Sequence, residues 1–234
     1  MIKNNVRLLI EFLVIISGVL LSFYIDDIRE LKNKKLEKDI LIGELVITAK
    51  EDLKQIQNLK KDLIKVQENI SIFLNDIQDK KKDLTDLQIA INYLFISEKM
   101  SVSFFPQDGI FTQLISTGSL ELIESSALKN LLLRNFTHYL DRNQANNRTL
   151  DDLYLDFVNN VEPFITIISK DKKDTSFIYT DRIVDSYAIN PNYYLSNKFK
   201  AYLSSANTMV GKNVDMLNLF EKSYNEILEL ANKA

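Results

Sequence analysis

An apolar run near the start of the chain constrains its fold and location more than any other feature. Residues 8–25 read LLIEFLVIISGVLLSFYI, eighteen residues with one charge, Glu11, before the acidic pair Asp26 and Asp27. A helix rises about 1.5 Å per residue, so this run spans roughly 27 Å, close to the ~30 Å hydrocarbon core of a bilayer. The sequence therefore predicts a transmembrane helix over residues 8–25, after a tail over residues 1–7.

Two other interpretations of the run fit its residues less well. A signal peptide also has an apolar run after positive residues, but it ends in small residues, whereas this run ends in Phe23, Tyr24 and Ile25. A buried core helix is rarely apolar over eighteen nearly unbroken residues. We therefore expect an uncleaved single-pass membrane helix with its exit aromatics at the membrane surface.

The composition favours long helices in the rest of the chain. There are only 5 Gly and 3 Pro in 234 residues, which leaves few turn-forming positions for a many-stranded fold. The net charge of −3 gives no indication of nucleic-acid binding. Because there is no cysteine, disulfides and thiolate chemistry are excluded.

A regular apolar spacing predicts an all-α domain. The polar residues 26–55 allow the membrane helix to continue as a juxtamembrane helical stalk. Beyond them, apolar residues alternate by three and four, the seam of a coiled coil or helical bundle: Ile56, Leu59, Leu63, Val66, Ile70, Phe73, Ile77, Leu84, Leu87, Ile91 and Leu94. We predict an antiparallel helical bundle over 56–234, with long helices at about 56–98, 126–162 and 196–232. The seam can alternatively pair with a second copy of the chain.

Breaks in the pattern separate these helices. The run DKKKD around Lys80 predicts a loosening or a turn, and Pro106 with Gly109 ends any helix there. Serines at 125 and 126 suit a helix start, and Pro163 ends that helix after a possible bend at 143–147. Residues 170–197 are predicted to be an extended connection that allows one short helix.

Candidate sites in the apolar run are few. Glu11 lies one turn inside it, where three roles are open: an interfacial carboxylate, an oligomer contact, or part of a proton or ion path. Gly18 and Ser22, with Ser17 beside them, form a small-residue pattern that lets two membrane helices approach closely.

Outside the membrane run, no residue pattern points to catalysis. The only histidine, His138, has no second histidine or cysteine for a zinc site, so we expect no metal, no cofactor and no enzyme activity. The loop SYAINPNYYLSN carries Tyr187, Tyr193 and Tyr194. These tyrosines form a possible partner surface, or alternatively pin the loop onto the bundle, which is the interpretation we favour.

Two stretches resemble a known family. EFLVIISGVLLSFYIDDIRE and GIFTQLISTGSLELIESSALKNLLLRNF resemble motifs of an uncharacterised family of bacterial single-pass membrane proteins common in Bacteroidota, a domain-of-unknown-function family. The matching positions are Glu11, Gly18, Asp26, Leu114, Ile115, Ser116, Gly118, Leu122 and Ile123. The chain departs from that pattern at Arg29, where the family usually has tryptophan, and in its short N-terminal tail. The resemblance implies an uncleaved membrane helix with a helical domain, and no activity.

The function expected from these features is protein contact at a membrane. We predict a bacterial inner-membrane protein whose helical domain is a scaffold or sensor, with the bilayer and a second copy or another membrane protein as partners. No small-molecule substrate is indicated. The alternative is an oligomeric membrane effector or ion-conducting subunit that uses Glu11; in that case Glu11→Gln should change the effect of overexpression on membrane potential. Lysines and arginines after the run favour a cytoplasmic domain, whereas the resemblance favours a periplasmic one, towards which we lean slightly.

Overall fold

The computed structural model describes residues 2–78, 83–172 and 182–233, with side chains described from Glu11 onward. Most of these residues are helical, which confirms the prediction of a mainly helical chain. The α-helices are α1 (Ile2–Gln78), α2 (Asp86–Lys99), α3 (Gly109–Ser116), α4 (Ser126–Leu133), α5 (Leu140–Val161), α6 (Pro191–Tyr194) and α7 (Asn197–Ala231). A 3-10 turn (Ser119–Leu122), a π-helical segment (Arg134–Tyr139) and two strands, β1 (Ile165–Asp171) and β2 (Arg182–Ile189), complete the fold.

The core lies mainly between α1 and α7, which run antiparallel. Phe73 on α1 contacts Phe199 at the start of α7, with 6.0 Å between ring centroids. Lys60, which comes earlier on α1, contacts Glu221 near the end of α7. The inward side of α7 packs here, and its buried residues include Phe199, Leu203, Ala206, Val210, Leu217, Phe220 and Tyr224. Ser196 caps α7 by accepting a hydrogen bond from the Phe199 amide, close to the predicted start.

The predicted helix over 56–98 is divided in the structure. Residues 79–82 of the run DKKKD, where a loosening or a turn was predicted, lie outside the described residues. Helix α1 ends at Gln78 and α2 begins at Asp86, capped by Thr85 in a capping box with Gln88. On α1, six of the seven predicted seam residues are buried and Leu59 is partly buried; the buried ones are Ile56, Leu63, Val66, Ile70, Phe73 and Ile77. On α2, however, Leu87 and Ile91 are 48% and 52% exposed, and the buried positions are Ile89, Ala90, Tyr93, Leu94 and Ile96. Because the helix is interrupted, the apolar spacing that identifies buried residues on α1 does not identify them on α2.

The helix predicted over 126–162 is continuous but changes its winding. Ser125 caps α4, and the π-helical segment joins α4 to α5, which runs to Val161. The irregularity therefore lies at Arg134–Tyr139, not at the predicted bend over 143–147. A single wider turn of this kind rotates the side chains that follow it relative to the helix before it.

A β-hairpin occupies part of the connection expected to be extended. Strands β1 and β2 pair antiparallel, from Ile165 opposite Ile189 to Asp171 opposite Arg182, with an irregularity between Ile168 and Ser169. Ile165 is fully buried, and the hairpin packs against α2. The hairpin was not predicted from the sequence, although the short helix α6 after it agrees with the one that the connection allowed.

The bundle begins earlier on α1 than the predicted boundary at residue 56. Leu41, Ile42, Leu45 and Ala49 are all buried, so the second half of the expected stalk belongs to the domain. Over the residues that the structure describes, no helix is long and apolar enough to cross a membrane. Of the predicted span over 8–25, the side chains of residues 8–10 are not described.

Candidate functional site

The N-terminal part of α1 exposes apolar side chains on all its sides. Every large apolar side chain in residues 12–25 is between 38% and 66% exposed. Helix α1 continues without interruption from this segment into the buried core at Leu41. An exposed apolar surface of this kind marks a site of interaction with lipid or protein.

The four residues predicted as membrane or oligomer contacts all lie in this exposed segment. At about 100° per residue, Glu11, Gly18 and Ser22 share one side of α1, whereas Ser17 lies about a quarter turn away. A Cβ atom added to Gly18 would have no described heavy atom within 4 Å. The small-residue side is therefore open, and Ser17 does not contribute to it.

A second feature is the loop between α2 and α3, which is tied to the core by buried amide groups. The Phe104 carbonyl accepts hydrogen bonds from Asn143 at 2.7 Å and Asn147 at 3.2 Å. The Val102 carbonyl accepts one from Asn213 at 3.3 Å. These three asparagines are at most 6% exposed, and the Phe104 ring itself is fully buried. The loop therefore acts as part of the core and not as a mobile connection.

The end of this loop is held by Asp52 of α1. Asp52 is 1% exposed, and its carboxylate accepts hydrogen bonds from the backbone and side-chain amides of Gln107, at 3.0 and 3.2 Å. It also accepts one from the Tyr224 hydroxyl on α7, at 2.5 Å. Desolvation raises the pKa of Asp52, although the bonds from Tyr224 and Gln107 act in the opposite direction.

The surroundings of Tyr224 are closed and aromatic. Burial and the adjacent Asp52 carboxylate raise the pKa of its hydroxyl, so it is a donor and not a base. Asn135 of the π-helical segment is fully buried nearby, and neither of its side-chain polar atoms has a hydrogen-bond partner among the described residues. The Phe104 and Phe136 rings pack edge-on against Tyr224, with centroid distances of 6.5 and 6.2 Å. This arrangement joins α1, the loop, the π-helical segment and α7 around one tyrosine.

The predicted tyrosine surface is divided by the structure. Tyr193 and Tyr194 are 7% and 0% exposed, and Tyr194 donates a 2.7 Å hydrogen bond to Asp76 of α1. Tyr193 donates to the Asn160 carbonyl at 2.8 Å and stacks on Phe164. These two pin the segment onto the bundle, which is the alternative that the sequence favoured. Only Tyr187, 41% exposed on β2, remains available as a partner surface.

The motif Leu-Ile-Ser-x-Gly forms the end of α3. Leu114 is fully buried, whereas Ile115 is 50% exposed and Ser116 bonds back to the Gln113 carbonyl. Gly118 has φ of +72°, a left-handed conformation that glycine adopts without strain, and it follows the end of α3. This part of the resemblance therefore has a structural explanation in the ending of a helix.

The remaining candidates are the single histidine and possible metal ligands. His138 is exposed on the π-helical segment. Within the described ranges, no three His, Cys, Asp or Glu side chains are grouped to hold a metal ion. Open grooves run beside α1 around Ile64, where the lysines Lys60 and Lys65 are ion-paired with Glu221 and Glu68.

Comparisons with known proteins identify no relative. No family model matches this sequence, and no curated protein and no solved structure is significantly similar to it. The candidate site therefore rests on its geometry.

Sequence reasoning missed the anchored loop and the buried Asp52. The available signal was the run NQANN in an otherwise helical stretch, which we interpreted as a bend. Asparagine is a weak helix former, so a cluster of it inside a helix often marks side chains with a specific partner.

Proposed function

We propose that this protein is a single-pass bacterial inner-membrane protein whose helical domain is a scaffold or sensor that works through protein contacts. The apolar run over residues 8–25 is the membrane segment in this proposal. It includes Leu8, Leu9 and Ile10, whose side chains lie outside the described residues. No catalytic step is part of the proposal.

The continuity of α1 is the observation that supports it. One helix, Ile2–Gln78, carries the exposed apolar segment at one end and the buried core at the other. A helix without an internal break transmits a shift or rotation at one end to the other end. A contact made within the membrane would therefore change the position of the domain, and the reverse also holds.

Membrane insertion is tested on the full chain expressed in bacteria. Alkaline carbonate removes peripheral proteins from membranes, so we expect the wild type to stay with the membrane until detergent is added. The double variant Leu13→Asp/Leu20→Asp should move to the soluble or aggregated fraction, because each central charge costs about 2.5–3.5 kcal/mol in a membrane helix. The matched control is Ile168→Asp/Ile183→Asp, at exposed hairpin positions, which should remain in the membrane. Release of the wild type by carbonate would contradict the proposal.

The scaffold or sensor role is tested by cross-linking in native membranes followed by mass spectrometry. We expect cross-links from exposed lysines of the domain to a second copy or to another membrane protein. A chain that is monomeric in mild detergent and gives only intramolecular cross-links would contradict this part of the proposal.

The side of the membrane is assigned to the periplasm in this proposal, as the resemblance suggested. Fusions at Ala234 to alkaline phosphatase and to a fluorescent protein active in the cytoplasm test it. Phosphatase activity without fluorescence supports the assignment, and the reverse pattern overturns it.

A further inference from the structure

A line of exposed apolar residues follows α1 at a fixed spacing of eleven residues. Val14, Ile25, Leu36 and Ile47 are each separated by eleven positions. Their exposed fractions are 65%, 48%, 61% and 58%, so none of them is used by the fold of one chain. Eleven residues make slightly more than three complete helical turns, so the four side chains form a nearly straight line along the helix.

The line lies opposite the face of α1 that packs into the bundle. At about 100° per residue, Leu36 and Ile47 point roughly half a turn away from Leu45 and Ala49, which are each 1% exposed. Ile40, four residues after Leu36, widens the line and is 55% exposed. On the same side, Gly43 has no described heavy atom within 4 Å of an added Cβ. The outer face of the stalk therefore carries exposed apolar side chains at Leu36, Ile40 and Ile47, which have no partner within the chain, although Arg29 and Asn33 on the same side are polar.

Lipid cannot cover the whole line. From Val14 to Ile47 the helix rises about 50 Å, whereas the hydrocarbon core of a bilayer is ~30 Å thick. If the run over residues 8–25 spans the membrane, Leu36 and Ile47 lie about 16 and 33 Å beyond Ile25, in water. Whatever covers the line must itself pass from bilayer to water beside α1 with apolar side chains at matching heights.

We propose that a second copy of this chain covers the line, in a parallel pair of α1 helices. The inference rests on the proposed function, because insertion in one membrane gives both copies the same direction and the same depth. Each residue of the line then faces the same residue of the second copy. Within the membrane, the open side with Gly18 and Ser22 allows the two helices to approach closely.

The charges along this face agree with a pair of limited length. Arg29 lies on this side, and Asp26, three residues earlier, is placed to form an ion pair with Arg29 of the second copy. The next position at this spacing, eleven residues after Ile47, is the polar Asn58. Lys54, four residues before Asn58, is exposed on the same side of α1. The apolar spacing does not continue at these positions, so the pairing ends near Ile47 and the two bundle domains extend beyond it, side by side.

Single cysteine variants of the full chain test the pair, since the natural sequence has no cysteine. Leu36→Cys and Ile47→Cys are oxidised in membranes, and the disulfide-linked dimer is measured on non-reducing gels. Lys34→Cys is the matched control, because Lys34 is exposed on the opposite side of the same part of α1. A disulfide needs Cα atoms within about 7 Å, which a parallel pair provides at both line positions and not at the control.

We expect both line variants to give several-fold more dimer than Lys34→Cys. Dimer at only one of the two positions would indicate a crossed or antiparallel contact and would overturn the proposal, as would equal yields at all three positions. In the same preparations, carbonate extraction reports on the membrane. A chain that stays in the membrane but does not cross-link at the line refutes the pairing alone. A chain that is released by carbonate and still cross-links at both positions refutes the membrane function alone.

Discussion

The hydroxyl of Tyr224 donates a 2.5 Å hydrogen bond to the buried carboxylate of Asp52, across 172 residues of sequence. A second pair repeats the arrangement towards the other end of α1, where Tyr194 donates to Asp76 at 2.7 Å. Each aspartate also accepts backbone amides from a connecting segment, Gln107 in the first pair and Asp83 with Leu84 in the second. Both pairs thus join α1, a later tyrosine and a loop at one carboxylate.

Removing the first tyrosine hydroxyl should weaken the bundle. In Tyr224→Phe, Asp52 stays buried with its two bonds from Gln107 but loses its shortest one. A lost bond to a buried charged group costs about 1–3 kcal/mol, and each kcal/mol lowers the melting temperature by about 2–4 °C in a domain of this size. Circular dichroism melts measure this on a fragment that begins at Asp27. The control, Tyr187→Phe at an exposed position, should melt with the wild type; equal melting of all three would count against the pair.

The stability of the domain should depend on pH through Asp52. Desolvation raises its pKa above the ordinary 3.8 in the folded state. The folded state therefore holds this proton to a higher pH than the unfolded state, and the Asp52 contribution to the free energy of unfolding falls as pH rises through that interval. Asp52→Asn does not titrate, so its stability relative to wild type should improve as pH rises from 3.8 and level off above the raised pKa.

Urea unfolding of both proteins over a series of pH values measures that difference. Asp52→Asn also changes the hydrogen bonds of this side chain. That change shifts the free energy of unfolding by an amount that does not vary with pH. Asp151→Asn, at an exposed position on α5, controls for the loss of one negative charge. A difference between Asp52→Asn and wild type that stays constant over the series would contradict the prediction.

A charged residue in the centre of the α1 seam should unfold the domain. Ile70 is fully buried, and an unpaired buried charge costs several kcal/mol, comparable with a domain's whole net stability of about 5–15 kcal/mol. We expect Ile70→Asp to unfold the fragment from Asp27 onward, whereas Glu68→Lys, which replaces an exposed partner of Lys65, should have little effect. Circular dichroism melts compare the two variants, and equal melting temperatures would refute the burial of this seam.

The buried asparagines should control the rigidity of the loop. In Asn143→Ala, the Phe104 carbonyl keeps only the longer bond from Asn147. Loss of the shorter bond should lower local stability by roughly 1–2 kcal/mol, so the Gln107 amide, which donates to Asp52, should exchange its hydrogen faster. Amide exchange by NMR or mass spectrometry measures this. Asn225→Ala, which removes only an exposed bond to Glu221 on the same helix, should leave the Gln107 rate unchanged.

Helical periodicity predicted the long packing surfaces because it is a local property of the sequence. The seam from Ile56 to Ile77 and the inward side of α7 follow one helix each, so spacing alone identifies their buried positions. The same spacing failed on α2, where Ile89 is buried and Ile91 is exposed. Because the helix is interrupted before Asp86, the inward side of α2 is not set by the spacing on α1. The spacing of apolar residues does not show how far the inward side is rotated by the interruption.

The contacts that join distant segments could not be predicted in this way. Asp52 meets Tyr224, and Asn143 meets the Phe104 carbonyl, only because the fold brings these segments together. For the tyrosine segment, the sequence left two roles open, and burial of Tyr193 and Tyr194 decides between them. The hairpin was missed because its strands carry mixed polar and apolar residues, with only Ile165 fully buried.

The antiparallel arrangement of α1 and α7 determines how the domain responds to a pulling force. Since Tyr224 lies beside Asp52 and Phe199 beside Phe73, the end of α7 at Ala231 is at the same end of the bundle as Leu41. A load applied between the N-terminal segment and the C-terminus would peel α7 from α1 one contact at a time, beginning near Ala231. Such unzipping proceeds at much lower force than sliding two helices past each other along their full length. The Asp52–Tyr224 pair would be the first strong polar contact to resist it, and the Asp76–Tyr194 pair the last.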